Sequence, residues 1–387
     1  MNSVPGMTVY KPESLAHIIL PPNIKGGKVI FLTTCNISHK TIFTNGLYQN
    51  ILLFYKLFEC MGHIPFLIVD KQITRENADM LIDDEYQMLT PEQVIQNPID
   101  VDLYIEIGMS VHVAFVQLLR SQGARIVKLY LGNVLNIDTE IITCMPGVNF
   151  PHHTYSEIDE IWTSPHYAQH LEYACSLYRV PLAMGYIAPY IWDPCFINSS
   201  VGWKRVNKWN TMNIIIAEPN ISYQKCALMP LMLVEEFAKC YPMWQGKVSI
   251  MNSSRLRVNV HVQASVFPDL ELIRLGRVEF RGRETISNMM CNNSNAIFIG
   301  HQMNNEYNYM TLELMWKGFP VLHNTGIWKN FGYYWSDTDI PSATHLLANT
   351  MQTHTIGGKY VTDAKLLAWN YSPYNPAIQT QWAALLK

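Results

Sequence analysis

The sequence predicts an α/β protein built from two Rossmann-like, doubly wound domains that face a central cleft. Three observations lead there. At 387 residues the chain is too long for one ordinary core, so two domains are expected. Short apolar, β-branched runs alternate with helix-period stretches, the mark of mostly parallel sheets covered on both faces. The alternation then restarts after a polar stretch at 196–210.

Residues 1–27 carry Pro5, Pro12, Pro21 and Pro22 with little periodicity, and read as an arm or leading strand. Lys28 to Leu32 is a buried-strand candidate. Leu47, Ile51, Phe54, Phe58 and Met61 recur at helical spacing, and Gly62 stops that helix. Phe66 to Asp70 completes a βαβ opening. Strands are expected at 103–107, 125–130 and 158–164, with helices at 111–121 and 167–177. Residues 185–195 close the first half. In the second half, strands are expected at 212–217, 247–251, 278–280, 296–300 and 320–323. A helix at 229–240 accepts Pro230 in its first turn. A last helix, near 378–386, could cross back onto the first half. The expected domains are 1–198 and 208–370, with 371–387 as the returning helix.

Composition narrows the function classes. Hydrophobic residues make up 49% and charged residues 15%, which suits a globular chain. A net charge of −3 gives no electrostatic reason to bind nucleic acid or an anionic membrane. No apolar run approaches the roughly 20 residues that span a bilayer. No basic segment followed by an apolar stretch marks the N-terminus as a signal peptide. A cytoplasmic location is expected. The 8 cysteines include no Cys-x-x-Cys pair and read as reduced, buried small hydrophobes.

The most informative stretch is 299–335. A strand ends at Ile299-Gly300 and His301 opens a polar loop. A helix begins near Asn308, with Tyr309, Met310 and Thr311 in its first turn and Glu313 about one turn in. Gly318-Phe319-Pro320 then leads into the next strand. Free amides and the dipole at such a helix start favour a diphosphate, and a carboxylate there can accept from ribose hydroxyls. A plain helix-start glutamate fits the same position. Glu218, Asn220 and Lys225 follow the first strand of the second half, where a lysine can meet phosphate charge on a leaving group. Arg281 and Arg283 follow another strand and suit phosphate recognition, or a surface ion pair.

In the first half, Asn45 and Gly46 precede the first long helix, as a ligand loop or as a helix entry. His152, His153 and His166 are candidates for a base or a sugar contact, and a structural role fits them too. Glu106 and Asp138 are the carboxylates able to deprotonate an acceptor hydroxyl. Adjacent histidines lack the spacing of a helical metal pair, and no Asp/Glu cluster completes a site, so no metal is expected.

With these residues in view, the chain resembles GT-B glycosyltransferases. More narrowly, it resembles a mainly bacterial family of glycosyltransferase-like proteins. The segments that carry the likeness are Glu218-Pro219-Asn220 with Lys225, His301-Gln302, Asn308-Tyr309, Gly318 to Asn324, and Gly332-Tyr333-Tyr334. The resemblance implies a nucleotide-diphosphate sugar, such as a UDP-sugar, bound as substrate in the second domain. It implies a hydroxyl acceptor in the first domain, no separate cofactor, and Glu313 as the ribose-binding glutamate. Retaining members often carry an earlier glutamate that would fall at 305, where this chain has Asn305. Inverting relatives carry a first-domain aspartate after the strand resembling Lys128 to Leu131, where this chain has Gly132-Asn133. The stereochemical course stays open. A sugar-nucleotide epimerase and a non-catalytic nucleotide- or carbohydrate-binding protein are the alternatives on the same fold. A dinucleotide dehydrogenase is disfavoured, because no Gly-x-Gly-x-x-Gly follows either half's first strand.

Overall fold

The computed structural model describes residues 27–35, 42–43, 45–70, 86–145, 147, 153, 157–197 and 201–387. Residues 1–26 of the arm expected over 1–27, and His152, lie outside the described residues. The chain divides into two compact units. Unit 1 takes in the chain up to Phe196 together with Trp369–Lys387, and unit 2 is Ile197–Ala368.

Unit 1 runs β1 (Val29–Thr34), α1 (Gly46–Cys60), β2 (Ile64–Val69), β3 (Met88–Leu89), α2 (Pro91–Gln96), β4 (Leu103–Glu106), α3 (Val113–Ser121), β5 (Arg125–Tyr130), α4 (Val134–Cys144), β6 (Glu160–Thr163), α5 (Leu171–Tyr178) and β7 (Gly185–Ile187). Every described pair is parallel, in the order β3-β2-β1-β4-β5-β6-β7. Both faces are covered, which is why β1 reads Val-Ile-Phe-Leu-Thr-Thr without alternation. Helix entries are set by local chemistry. Asn45 caps α1, and Thr90 with Gln93 forms a capping box at α2, with Pro91 just inside.

Unit 2 runs β8 (Ile214–Ile216), α6 (Leu228–Cys240), β9 (Val248–Ile250), α7 (Ser254–Val258), α8 (Glu271–Arg274), β10 (Val278–Phe280), α9 (Ile286–Asn292), β11 (Ile297–Ile299), α10 (Tyr309–Trp316), β12 (Val321–His323), β13 (Tyr333–Tyr334) and α11 (Ile340–Thr353). Its sheet is parallel in the order β10-β9-β8-β11-β12-β13. Helix α12 (Gly358–Tyr371) carries the chain out of unit 2, and α13 (Pro376–Leu385) packs in unit 1. Trp382 of α13 is fully buried, edge-on to Phe54, Phe58 and Trp162 at 5.0, 5.6 and 5.8 Å between ring centroids. Arg125 donates to the Leu385 carbonyl at 2.9 Å, and Lys28 donates to that of Leu386. These are bonds to carbonyls that a helix end leaves open.

Two expectations are corrected. The polar stretch at 196–210, expected as a linker between the two halves, belongs to unit 2 from 201 onward. Trp203 is buried there, edge-on to His354 at 4.6 Å, because a tryptophan gains too much by burial to stay in a solvated tether. The cysteines are free, yet Cys60, Cys144, Cys195, Cys240 and Cys291 are exposed and only Cys175 is buried. Cys60, Cys144 and Cys240 are the last residues of α1, α4 and α6, where the helix runs out toward solvent.

Candidate functional site

In open parallel sheets, ligands collect beyond the carboxyl ends of the strands at the point where strand order reverses. In unit 2 that point lies between β8 and β11. The loop after β8 is knitted by Asn220, which takes a left-handed backbone at φ 52°. Its Nδ2 donates to the carbonyls of Glu218 (2.9 Å) and Met251 (3.0 Å), and its Oδ1 accepts from the Ala227 amide (2.8 Å). The side chain is therefore committed to the loop. Asn220, expected among the donor contacts, shapes the turn that carries Glu218 and Lys225.

Glu218 is wholly buried. Its Oε1 accepts from the His301 amide at 2.8 Å, and its Oε2 accepts from Gln302 Nε2. Gln302 Oε1 accepts from Asn305 Nδ2. The backbone of Gln302 exchanges two 2.8 Å bonds with the Asn324 side chain. The loops after β8, β11 and β12 thus form one hydrogen-bonded piece. Burial pushes the Glu218 carboxyl up to about 8, opposed by the His301 amide, Lys225 and Gln302. Burial pushes Lys225 down, opposed by Glu218. Lys225 is half-buried, and its ammonium forms no hydrogen bond or salt bridge among the described residues. The His301 ring is buried, with Nε2 3.3 Å from Asp337 Oδ2. Burial lowers its pKa, and Asp337 works against that.

Helix α10 starts where the sequence places it. Asn308 is the cap, its Oδ1 accepting from the Met310 amide at 3.0 Å. Tyr309, Met310 and Thr311 form the first turn, whose amides have no acceptors within the helix. No acidic residue stands in that turn. Glu313 falls in the second and is 2% exposed. The helix ends in a Schellman motif. Gly318 sits at φ 73°, Phe319 N–H reaches the Leu314 carbonyl at 2.9 Å, and Gly318 N–H reaches that of Met315 at 3.0 Å. His354 and Tyr360 hold the turn by bonding the carbonyls of Gly318 and Phe319.

Gly300 lets Glu218 and α10 approach. A Cβ there would stand 3.5 Å from Glu218 Oε1 and 3.3 Å from Met310 Cε. Arg281 follows β10, the edge strand, and pairs with Glu284 at 3.2 Å. Its loop is drawn in by Asn252, whose amide bonds the Gly282 carbonyl at 3.0 Å and whose side chain bonds that of Pro219. Arg283 is exposed. Arg255, missed in the sequence, donates to the Ile221 carbonyl at 3.3 Å. A cation shortly after β9 carries the same signal as Arg281 after β10.

In unit 1 the order reverses between β1 and β4. Asn45 Oδ1 accepts from the Leu47 amide at 3.1 Å and Gly46 is the first residue of α1, so this pair makes a helix entry. Glu106 ends β4 and is fully buried. In register on β5, Lys128 Nζ donates to it at 2.6 Å, and Ser110 donates at 3.0 Å. Nearby, His153 Nε2 lies 2.9 and 3.1 Å from the Asp138 oxygens, and its Nδ1 lies 2.9 Å from the Tyr130 hydroxyl. Tyr178 bonds the Tyr130 hydroxyl at 2.8 Å, and Tyr173 donates to Asp138. Ser110 Oγ also reaches the His153 carbonyl at 3.4 Å, which joins the two groups. The structure therefore brings Glu106, Asp138 and His153 into one network. Glu106 is sealed, whereas the side chains of Asp138 and His153 are 17% and 30% exposed. His166 bonds Ser164 Oγ at 3.0 Å and packs on Tyr167, outside that network's described bonds. Among the described residues, no group of three or more His, Cys, Asp and Glu is placed to hold a metal ion, and no helix is long and apolar enough to cross a membrane.

A family model described as "Protein of unknown function (DUF2827)" matches residues 30–386. The chain belongs to the DUF2827 family. Curated protein sequences yield no significant match. Among solved structures, an α-glucosyltransferase in complex with UDP and a 13-mer DNA containing a HMU base is similar at 14% identity. That match covers 94% of this chain and 100% of the other, with a TM-score of 0.58. Trehalose-6-phosphate synthase OtsA is similar at 10% identity, covering 93% and 99%, with a TM-score of 0.57. Sucrose-phosphate synthase from Thermosynechococcus elongatus is similar at 10% identity, covering 92% and 98%, with a TM-score of 0.54. At such identities the likeness is one of fold, and this chain has the GT-B glycosyltransferase fold.

Proposed function

We propose that this DUF2827 chain is a glycosyltransferase that moves a sugar from a nucleotide-diphosphate donor to a hydroxyl acceptor. The observation that carries the reading is the carboxyl edge of unit 2. There an α-helix N-terminus capped by Asn308 adjoins a loop bearing Lys225, whose ammonium forms no salt bridge among the described residues. The first turn of α10, Tyr309, Met310 and Thr311, would take the diphosphate with Lys225, the Met310 amide leaving the Asn308 side chain to do so. Arg281 and Arg283 would add charge, and Glu313 would hold the ribose. The domain at 208–370 is thus the donor domain and 1–198 the acceptor domain.

For the base, the partly exposed Asp138–His153 pair is better placed than sealed Glu106, because a general base must come within hydrogen-bond reach of its proton. His152 is its sequence neighbour and keeps its place in the proposal.

The test is thermal unfolding of wild type and Glu313→Ala against UDP-, GDP-, ADP- and dTDP-sugars. A ligand at about 100 times its Kd adds about 2.7 kcal/mol. One nucleotide should stabilise the wild type and stabilise the variant less. Asp138→Asn should keep donor binding and lower turnover by about a hundredfold or more. No stabilisation by any donor would overturn the reading. Donor binding without turnover would point to a nucleotide-binding protein.

A further inference from the structure

Glu218 is a carboxyl where a phosphate-binding site should not want one. It lies at the strand-order reversal of unit 2, beside Gly300 and the first turn of α10, and is wholly buried. Resting on the donor reading above, we infer that Glu218 is a positioning residue that takes up a proton when a nucleoside diphosphate binds at Lys225 and α10.

The hydrogen bonds of Glu218 permit both charge states. As a carboxylate it accepts from the His301 amide and from Gln302 Nε2. Once protonated, it keeps the His301 bond on Oε1 and donates from Oε2, provided the Gln302 amide turns its oxygen toward it. Asn305, which donates to Gln302 Oε1, is itself an amide with a donating and an accepting end. The two ends of such an amide are set by their bonding partners, so a Glu-Gln-Asn chain reads in either direction. The loop after β11 therefore stays tied to β8 in both states.

The groups around Glu218 are few. Lys225 stands on its own loop. His301 with Asp337 stands on the loop after β11, and Glu313 on α10. Arg255 and Arg281 with Glu284 stand on the loops after β9 and β10. Among these, Lys225 is the charge that acts on Glu218. A diphosphate drawn to Lys225 engages that cation and adds negative charge nearby. Both effects disfavour the Glu218 carboxylate, so binding draws a proton from solvent.

The experiment is calorimetric titration of the full chain with UDP near pH 8, in Tris and in HEPES, whose ionisation heats differ. Wild type should show net proton uptake per UDP. Glu218→Gln should bind UDP with none, and Glu218→Asp should recover part of it. If Glu218→Gln does not fold, Glu218→Asp takes its place, and uptake unchanged in it would assign the proton to Lys225, whose pKa burial lowers. Wild-type UDP affinity should be flat below about pH 8 and fall by up to about tenfold per pH unit above it. UDP binding without proton uptake, uptake undiminished in Glu218→Gln, or a flat pH profile would overturn the inference and leave the donor reading standing. No binding of UDP, GDP, ADP or dTDP by wild type in the same titration would overturn both.

Discussion

Glu106 and Glu218 are buried carboxyls that flank the strand-order reversal from opposite sides, Glu106 at the end of β4 and Glu218 just after β8, and they are neutralised differently. Glu106 has Lys128 at 2.6 Å, a cation from the adjacent strand at the same register. Ser110 and Lys128 both bond its Oε1, while its Oε2 is buried without a hydrogen-bond partner among the described residues, so its neutralisation inside unit 1 rests on Lys128. Glu218 is met by an amide and a carboxamide, and the nearest influential cation, Lys225, forms no salt bridge with it. One edge is closed on itself. The other retains a cation for something not part of the chain. A shared fold therefore assigns different work to its two halves through two or three residues at strand ends.

The largest test of that contrast is Lys128→Met. It would leave Glu106 buried without its partner, and should cost about 3–5 kcal/mol in denaturant unfolding. A loss as small as that of a surface substitution would mean Glu106 is not closed off. Next comes Lys225→Met. It should weaken UDP binding by about 1.5–3 kcal/mol, the worth of a hydrogen bond to a charged group, with little change in folding stability. The reverse pattern would make Lys225 a structural residue.

A smaller effect is expected in the pH dependence of stability. The Glu218 carboxyl is raised in the folded chain, from 4.5 to about 8. The folded state then holds an extra proton between those values. Its contribution to stability is complete below 4.5 and is lost as pH rises through about 8. Glu218→Gln should flatten that decline across neutral pH, and an unchanged slope would assign the titration to another group. The smallest effect belongs to Arg281→Ala. Arg281 follows the edge strand and is already paired with Glu284, so UDP binding should weaken by no more than about 1 kcal/mol. A loss exceeding that of Lys225→Met would move the centre of the site toward β10.

The fold was legible because its signals are local. Runs such as Val29 to Leu32 and Ile214 to Ile216 are apolar on both faces, and only a covered parallel sheet asks for that. The start of α10 at Asn308 and its stop at Gly318-Phe319-Pro320 are written in adjacent residues. Strands β3, β7 and β13 are two or three residues long and leave no periodicity to read. The candidate site was legible only in part. Lys128 reads as one polar residue in an apolar strand until the register sets it against Glu106, 22 positions away. Glu218 and Gln302 are 84 positions apart, and nothing near either announces the other. The bonds Asn220 makes within its own loop were not legible, because a loop asparagine looks the same whether its amide faces a ligand or its own backbone.

The return of α13 to unit 1 also orders events during synthesis. Trp382, which fills the space between Phe54, Phe58 and Trp162, is made only after all of Ile197–Ala368. The core of the earlier-made unit therefore cannot be completed until the later-made unit has been synthesised.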